Sequence, residues 1–142
     1  MRLVLDTNTA ISGLLWHGLP GKLIDAIQAK KVELYTSAPL LAELQGVLAR
    51  GKFAKQLRAR SLSGEGVVEG YAAIASIVMP AVITPTVSRD PTDDFVLATA
   101  LAAGADAIIS GDAHLLNLNA FQSIPIITAA EAVNRIAQSS RR

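Results

Sequence analysis

The sequence of 142 residues contains no cysteine. That absence excludes disulfides, thiolate zinc sites and cysteine nucleophiles together. No apolar run approaches the roughly 20 residues that a membrane-spanning helix needs, so no membrane partner is expected. The N-terminus has no basic lead followed by an apolar stretch and a cleavage site, so no secretion signal is read there. A cytoplasmic protein is the expectation. Net charge is scarce as well, with 13 Lys and Arg against 12 Asp and Glu. No internal repeat, low-complexity tract or linker divides the chain. It reads as one domain over residues 1–142, with a flexible basic tail in the last few residues, ending in Arg141 and Arg142.

What is present is apolar sequence. Hydrophobic residues make up 51% and charged residues 18%. Mean hydropathy is +0.38. This composition suits a sizeable core and argues against disorder. Leu3 to Leu5 reads as a strand, followed by a helical stretch that is interrupted at HGLPG and resumes in KLIDAIQAKK. VELYT is a second strand, and Ser37 is a plausible N-cap for the helix APLLAELQGVLAR, with Pro39 in its first turn. VVEGYAAIASIVM reads as a helix and MPAVITP as a short strand bounded by prolines. PTDDFVLATALAAG is a helix ended by Gly104, ADAIIS a strand, and GDAHLLNLN a loop with one helical turn. SIPIIT is a final strand and AAEAVNRIAQ a final helix. Strands separated by helical patterns predict an α/β fold around a mainly parallel sheet, with helices on both faces.

In such a sheet ligands gather beyond the carboxyl ends of the strands. Asp6 leaves the first strand there, and Ser110, Gly111 and Asp112 leave ADAIIS at the same edge if the two strands are parallel. Asp93 and Asp94 sit in the first turn of the helix before ADAIIS. Glu43 falls about 40° from Val47 on its helix, at the shoulder of the stripe formed by Leu40, Leu41, Leu44, Val47 and Leu48.

Each acid has an ordinary structural role open to it. Asp6 can cap the next helix, Asp90 can be an N-cap before Pro91, Asp93 and Asp94 can favour the helix dipole, and Asp112 can serve a turn. Taken together, four separate segments bring carboxylates to one edge, where their mutual repulsion calls for a cation. Hard oxygen ligands point to Mg²⁺ or Mn²⁺. A divalent ion held by carboxylates can activate water and polarise a phosphoryl oxygen, and the chemistry implied is phosphodiester hydrolysis. The stretch RGKFAKQLRAR adds Arg50, Lys52, Lys55, Arg58 and Arg60 without an acid, which reads either as a solvated helix face or as a footprint for RNA.

The segments LVLDTN with SGLLWHGLPGKLI, LYTSAPLLAELQGVLARGKF, and RDPTDDFVLATALAAGADAIISGDAHLL resemble the PIN-domain family of metal-dependent ribonucleases. The resemblance covers nearly the whole chain and is closest to the bacterial branch of VapC-like toxin components. It implies a three-layer α/β/α sandwich and an endoribonuclease using Mg²⁺ or Mn²⁺. The family's four acids fall on Asp6, Glu43, Asp93 and Asp112, with Asp94 a substitute for the third. Asn8 and Ser110 match its supporting polar positions. A cognate antitoxin and a homodimer or higher homo-oligomer are the partners implied, beside the RNA substrate. Histidines 17 and 114 are expected in loop or surface roles. A phosphatase using Asp6 as nucleophile fits poorly, because haloacid-dehalogenase-like enzymes want an aspartate where Asn8 stands. The remaining alternative is a non-catalytic PIN module that binds RNA or protein.

Overall fold

The computed structural model of the chain describes residues 1–87 and 91–140. The capping role read for Asp90 and the tail at Arg141 and Arg142 lie outside the described residues. β1 (Arg2–Leu5) is apolar on both faces, and this places it inside the sheet. It pairs in parallel with β2 (Glu33–Thr36) on one side and β4 (Ala107–Ile109) on the other. β3 (Ala75–Ile77), β6 (Ile124–Ile127) and the two-residue β5 (Ala120–Phe121) complete the order β3-β2-β1-β4-β6-β5. Among the described residues, only β5 runs antiparallel to its neighbour.

The helices are α1 (Thr7–Leu15), α2 (Gly18–Gln28), α3 (Ala38–Leu48), α4 (Gly51–Ala59), α5 (Gly64–Ala73), α6 (Pro91–Ala103), α7 (Ala113–Leu116) and α8 (Ala129–Ser140). The two-residue period of the strands sorts the core into two layers. Leu3, Leu5, Leu34 and Ile109 pack with Ile11, Leu23, Leu44, Tyr71 and Ala132 on one face. Val4, Ile108 and Ile126 pack with Val96, Leu97 and Leu115 on the other. Each fully buried Leu or Ile contributes about 1.5–3 kcal/mol. Helices on both sides of a mostly parallel sheet give the expected α/β/α sandwich.

Two glycines set helix placement. Gly104 takes φ +59° and ends α6. Gly13 lets α1 and α2 touch, since a Cβ there would lie 2.8 Å from the Pro20 carbonyl oxygen and 2.8 Å from Ile24 Cγ1.

Two local expectations differ from the fold, the N-cap at Ser37 holds in position, and one short strand is added. MPAVITP is not a strand; the sheet's edge is β3, which lies inside the stretch that reads as one helix. Pro80 and Pro85 have no N–H for a ladder. The Ala81 amide instead donates to Ala98 O on α6 at 3.0 Å. α2 starts at Gly18 within HGLPG, because a proline in a first helical turn interrupts no hydrogen bond. Ser37 holds the N-cap position without a capping bond, and its hydroxyl pairs with Thr99 Oγ1 at 2.8 Å. β5 was not anticipated, being too short to leave a pattern. No helix among the described residues is long and apolar enough to cross a membrane.

Candidate active site

From β1 the chain builds β2 and β3 on one side, then crosses back to β4 on the other. The loops leaving β1 and β4 therefore diverge, and a crevice opens at that reversal. Leu5 is paired with Ile109, so the next residues, Asp6 and Ser110, emerge side by side. The Asp6 amide donates to Ile109 O at 3.1 Å. Asp6 Oδ1 accepts from the Thr9 amide at 2.9 Å and so caps α1. Asp6 Oδ2 accepts from the Ser110 hydroxyl at 2.5 Å. The Ser110 oxygen in turn accepts from the Asp112 amide at 2.9 Å. Asp112 caps α7 through a 2.8 Å bond from the His114 amide. Asp6 is 5% exposed and Ser110 1%, so the bond between them is shielded from water, while the Asp112 end of the chain is open to it.

A cavity of about 210 Å³ opens beside these groups, and Asp6, Glu43, Asp93 and Asp112 all line it. Thr7, Asn8 and Arg50 share the wall. Glu43, Val47 and Arg50 reach it because positions four and three apart stack along one helical face, continuing α3 into the start of α4. Asp93 is 7% exposed in the first turn of α6. Its neighbour faces elsewhere: Asp94 Oδ1 accepts from the amides of Thr86 at 3.1 Å and Val87 at 2.7 Å, tying down the segment before α6. Among the described residues, no three acidic or histidine side chains converge closely enough to enclose an ion.

Two wall groups, and one buried group near Asp6, escaped the sequence reading. Thr7 Oγ1 is buried without a hydrogen-bond partner among the described residues. Thr92 stands one residue before Asp93 on the wall. Tyr71, on α5, is held neutral well above its ordinary value of 10.0, chiefly by burial and then by the negative charge of Asp6. A tyrosine in an apolar helical pattern gives no sign that its ring lies near a carboxylate.

The basic residues divide. Arg50 lines the acidic cavity. Lys52, Lys55 and Arg58 are exposed on α4, spaced three apart and therefore on neighbouring strips of one face. Lys52 Nζ sits 5.3 Å from the Phe53 ring centre, and Phe53 meets Trp16 edge-on at 5.8 Å. The Arg60 guanidinium donates to Leu15 O at the end of α1. His17 pairs with Asp25 at 2.9 Å on the surface.

The sequence family described as the PIN domain matches residues 2–114, and with them all four cavity acids. The chain belongs to the PIN-domain family. A relative, the uncharacterized protein MJ1680 of Methanocaldococcus jannaschii, is 30% identical over 119 residues, covering 83% of this PIN-domain chain and 75% of its own length. Two solved structures share the fold. VapBC2 from Rickettsia felis, bound to a DNA fragment from their promoter, matches with a TM-score of 0.61 at 15% identity, covering 90% of this chain and 98% of that one. FitAcB from Neisseria gonorrhoeae matches with a TM-score of 0.50 at 18% identity, with the same two coverages. At such identities the likeness is one of PIN-domain architecture.

Proposed function

We propose that this PIN domain is a Mg²⁺- or Mn²⁺-dependent endoribonuclease, the toxin component of a toxin–antitoxin pair. The observation that carries the reading is the convergence of Asp6, Glu43, Asp93 and Asp112 on one cavity at the strand-order reversal. The donor set is all oxygen, which suits hard divalent cations. Asp6, Glu43, Asp93 and Asp112 would hold the ion; Asp94, engaged with the Thr86 and Val87 amides, would not.

When bound, a divalent ion supplies the positive charge that offsets the carboxylates, activates water and polarises the phosphoryl group under attack. The remaining tasks fall to the chain. Ser110 fixes the Asp6 carboxylate by its hydroxyl, and the cap to Thr9 fixes the other oxygen. Arg50 draws a phosphate toward the acids, and Lys52, Lys55 and Arg58 extend the grip along the RNA backbone. Single-stranded or looped RNA suits the open crevice best, since its bases can be splayed into pockets. The fold shared with VapBC2 and the VapC-like motifs support a cognate antitoxin as partner. Exposed Ile77, Met79 and Val82 at the β3 edge offer apolar surface for that partner or for a second copy.

The test is cleavage of RNA by the purified protein with Mg²⁺ or Mn²⁺, beside an Asp6→Asn variant. Asparagine still caps α1, so the fold is preserved while the charge is lost. Cleavage is expected to need the metal and to vanish in the variant. Activity that survives both chelation and Asp6→Asn overturns the proposal, and binding without cleavage supports the non-catalytic module.

A further inference from the structure

A second cavity, of about 330 Å³, adjoins the acidic one. The two share Asn8 and Asp112, so a single wall separates them. Its other lining comes from Thr9 and Ser12 on α1, Pro20 in the first turn of α2, Ser110 and Gly111 after β4, and Thr128 and Ala129 at the start of α8. We infer that this cavity takes one unpaired nucleoside of the RNA, flanking the phosphate held at the acids. The inference rests on the nuclease reading and names the part of the substrate that the acids do not contact.

Size, chemistry and position agree. The volume falls at the small end of ligand sites, which span about 300–1,000 Å³. The lining alternates apolar faces, Pro20 and Ala129, with short polar groups, Asn8, Ser12 and Thr128. Apolar faces can hold a flat base, while an amide and two hydroxyls can meet its edge and the ribose hydroxyls. Asn8 is the discriminating group, because its carboxamide offers both donors and an acceptor to a base edge. No lysine or arginine lines this cavity, which disfavours a phosphate there and favours the uncharged part of a nucleotide. The wall shared with the acids sets the two cavities side by side, so a base in this one and a phosphate in the other would belong to neighbouring units of one strand.

The cavity is also a deliberate product of packing. Pro20 reaches the wall because Gly13 lets α2 start against α1 with no Cβ between them. Gly111 has nothing within 4 Å of where a Cβ would stand, leaving the mouth open.

Two measurements test the inference separately from the nuclease reading. In the first, metal-free protein is titrated with adenosine, guanosine, cytidine and uridine while backbone amide resonances are followed. Shifts centred on Ser12, Thr128 and Ala129 that are lost in Ser12→Phe, with the rest of the spectrum retained, support the nucleoside site. Titrations that leave those amides unmoved for all four nucleosides overturn it, whether or not the protein cuts RNA. In the second, a random-sequence RNA pool is cleaved and the cut ends sequenced. A base preference at one position flanking the cut, flattened at least about tenfold in Ser12→Phe while cutting continues, supports the site. Cutting with no flanking preference, or with a preference untouched by Ser12→Phe, overturns it and leaves the nuclease reading standing.

Discussion

The Ser110 hydroxyl donates to Asp6 across 104 residues of sequence, joining the exits of two neighbouring strands at 2.5 Å. Ser110→Ala removes the donor and leaves a buried carboxylate oxygen short of a partner, at a cost of about 1–3 kcal/mol. It also frees the orientation of a proposed metal ligand, and loss of such a support costs about 10–100-fold in metal affinity or activity. Titration with Mn²⁺ and a thermal melt of the same variant check both effects. A variant with unchanged Mn²⁺ affinity removes Ser110 from the proposed site.

Asp93 and Asp94 are expected to separate cleanly. Asp93→Asn should abolish metal-dependent cleavage, because it removes charge from the cavity wall. Asp94→Ala should leave cleavage largely intact and lower stability by about 1–2 kcal/mol, because the Thr86 and Val87 amides lose their acceptor. Urea denaturation and single-turnover cleavage of both variants distinguish the two roles, and the reverse pattern would make Asp94 the third acid.

Gly13→Ala sets two effects against each other. Alanine gains about 1 kcal/mol in helix propensity. The new methyl meets the Pro20 carbonyl and Ile24, and overpacking costs about 1–3 kcal/mol. A net loss of stability is expected, together with amide shifts along the first turn of α2. A more stable variant would mean that α1 and α2 separate without penalty.

Tyr71 carries the pH dependence at the alkaline end. Its phenol stays protonated in the folded protein well above the ordinary value of 10.0, through burial first and the Asp6 charge second. Its contribution is complete below about pH 10. Above that, the unfolded chain gives up the phenolic proton while the folded chain keeps it, so stability falls as pH rises. Tyr71→Phe should flatten that decline in denaturation curves taken between pH 9 and about 11. An equally steep decline in the variant assigns it to other groups.

The α4 stripe predicts a salt effect. Each phosphate contact on a single strand contributes about 0.7 to the slope of log affinity against log salt. Lys55→Ala and Arg58→Ala should each reduce that slope by about this amount and weaken all sequences alike. Arg60→Ala should leave the slope unchanged and act on stability, since its guanidinium is engaged at Leu15 O. Fluorescence anisotropy with short RNAs over a salt series measures all three.

The sequence carried the sheet well wherever apolar runs were flanked by clear helical patterns, as at Leu3–Leu5, Glu33–Thr36 and Ala107–Ile109. It failed at Ala75–Ile77, where small and β-branched residues continue a helical pattern and only pairing with β2 makes them a strand. The acids were legible because four of them mark motif positions. The difference between Asp93 and Asp94 was not legible, since it depends on which carboxylate faces the Thr86 and Val87 amides. Thr7, Tyr71 and the second cavity were hidden for the same reason: each is defined by neighbours that are distant in sequence.

The position of β1 between β2 and β4 has a consequence for synthesis on the ribosome. A nascent chain that has reached residue 106 carries Asp6, Glu43 and Asp93 but has neither Ser110 to hold Asp6 nor Asp112 to complete the wall. β4 enters the sheet only after Ile109 has been made, and β6 must still follow to cover its other edge. The proposed cutting centre therefore takes its shape only once β4 has paired with β1 and brought Ser110 against Asp6.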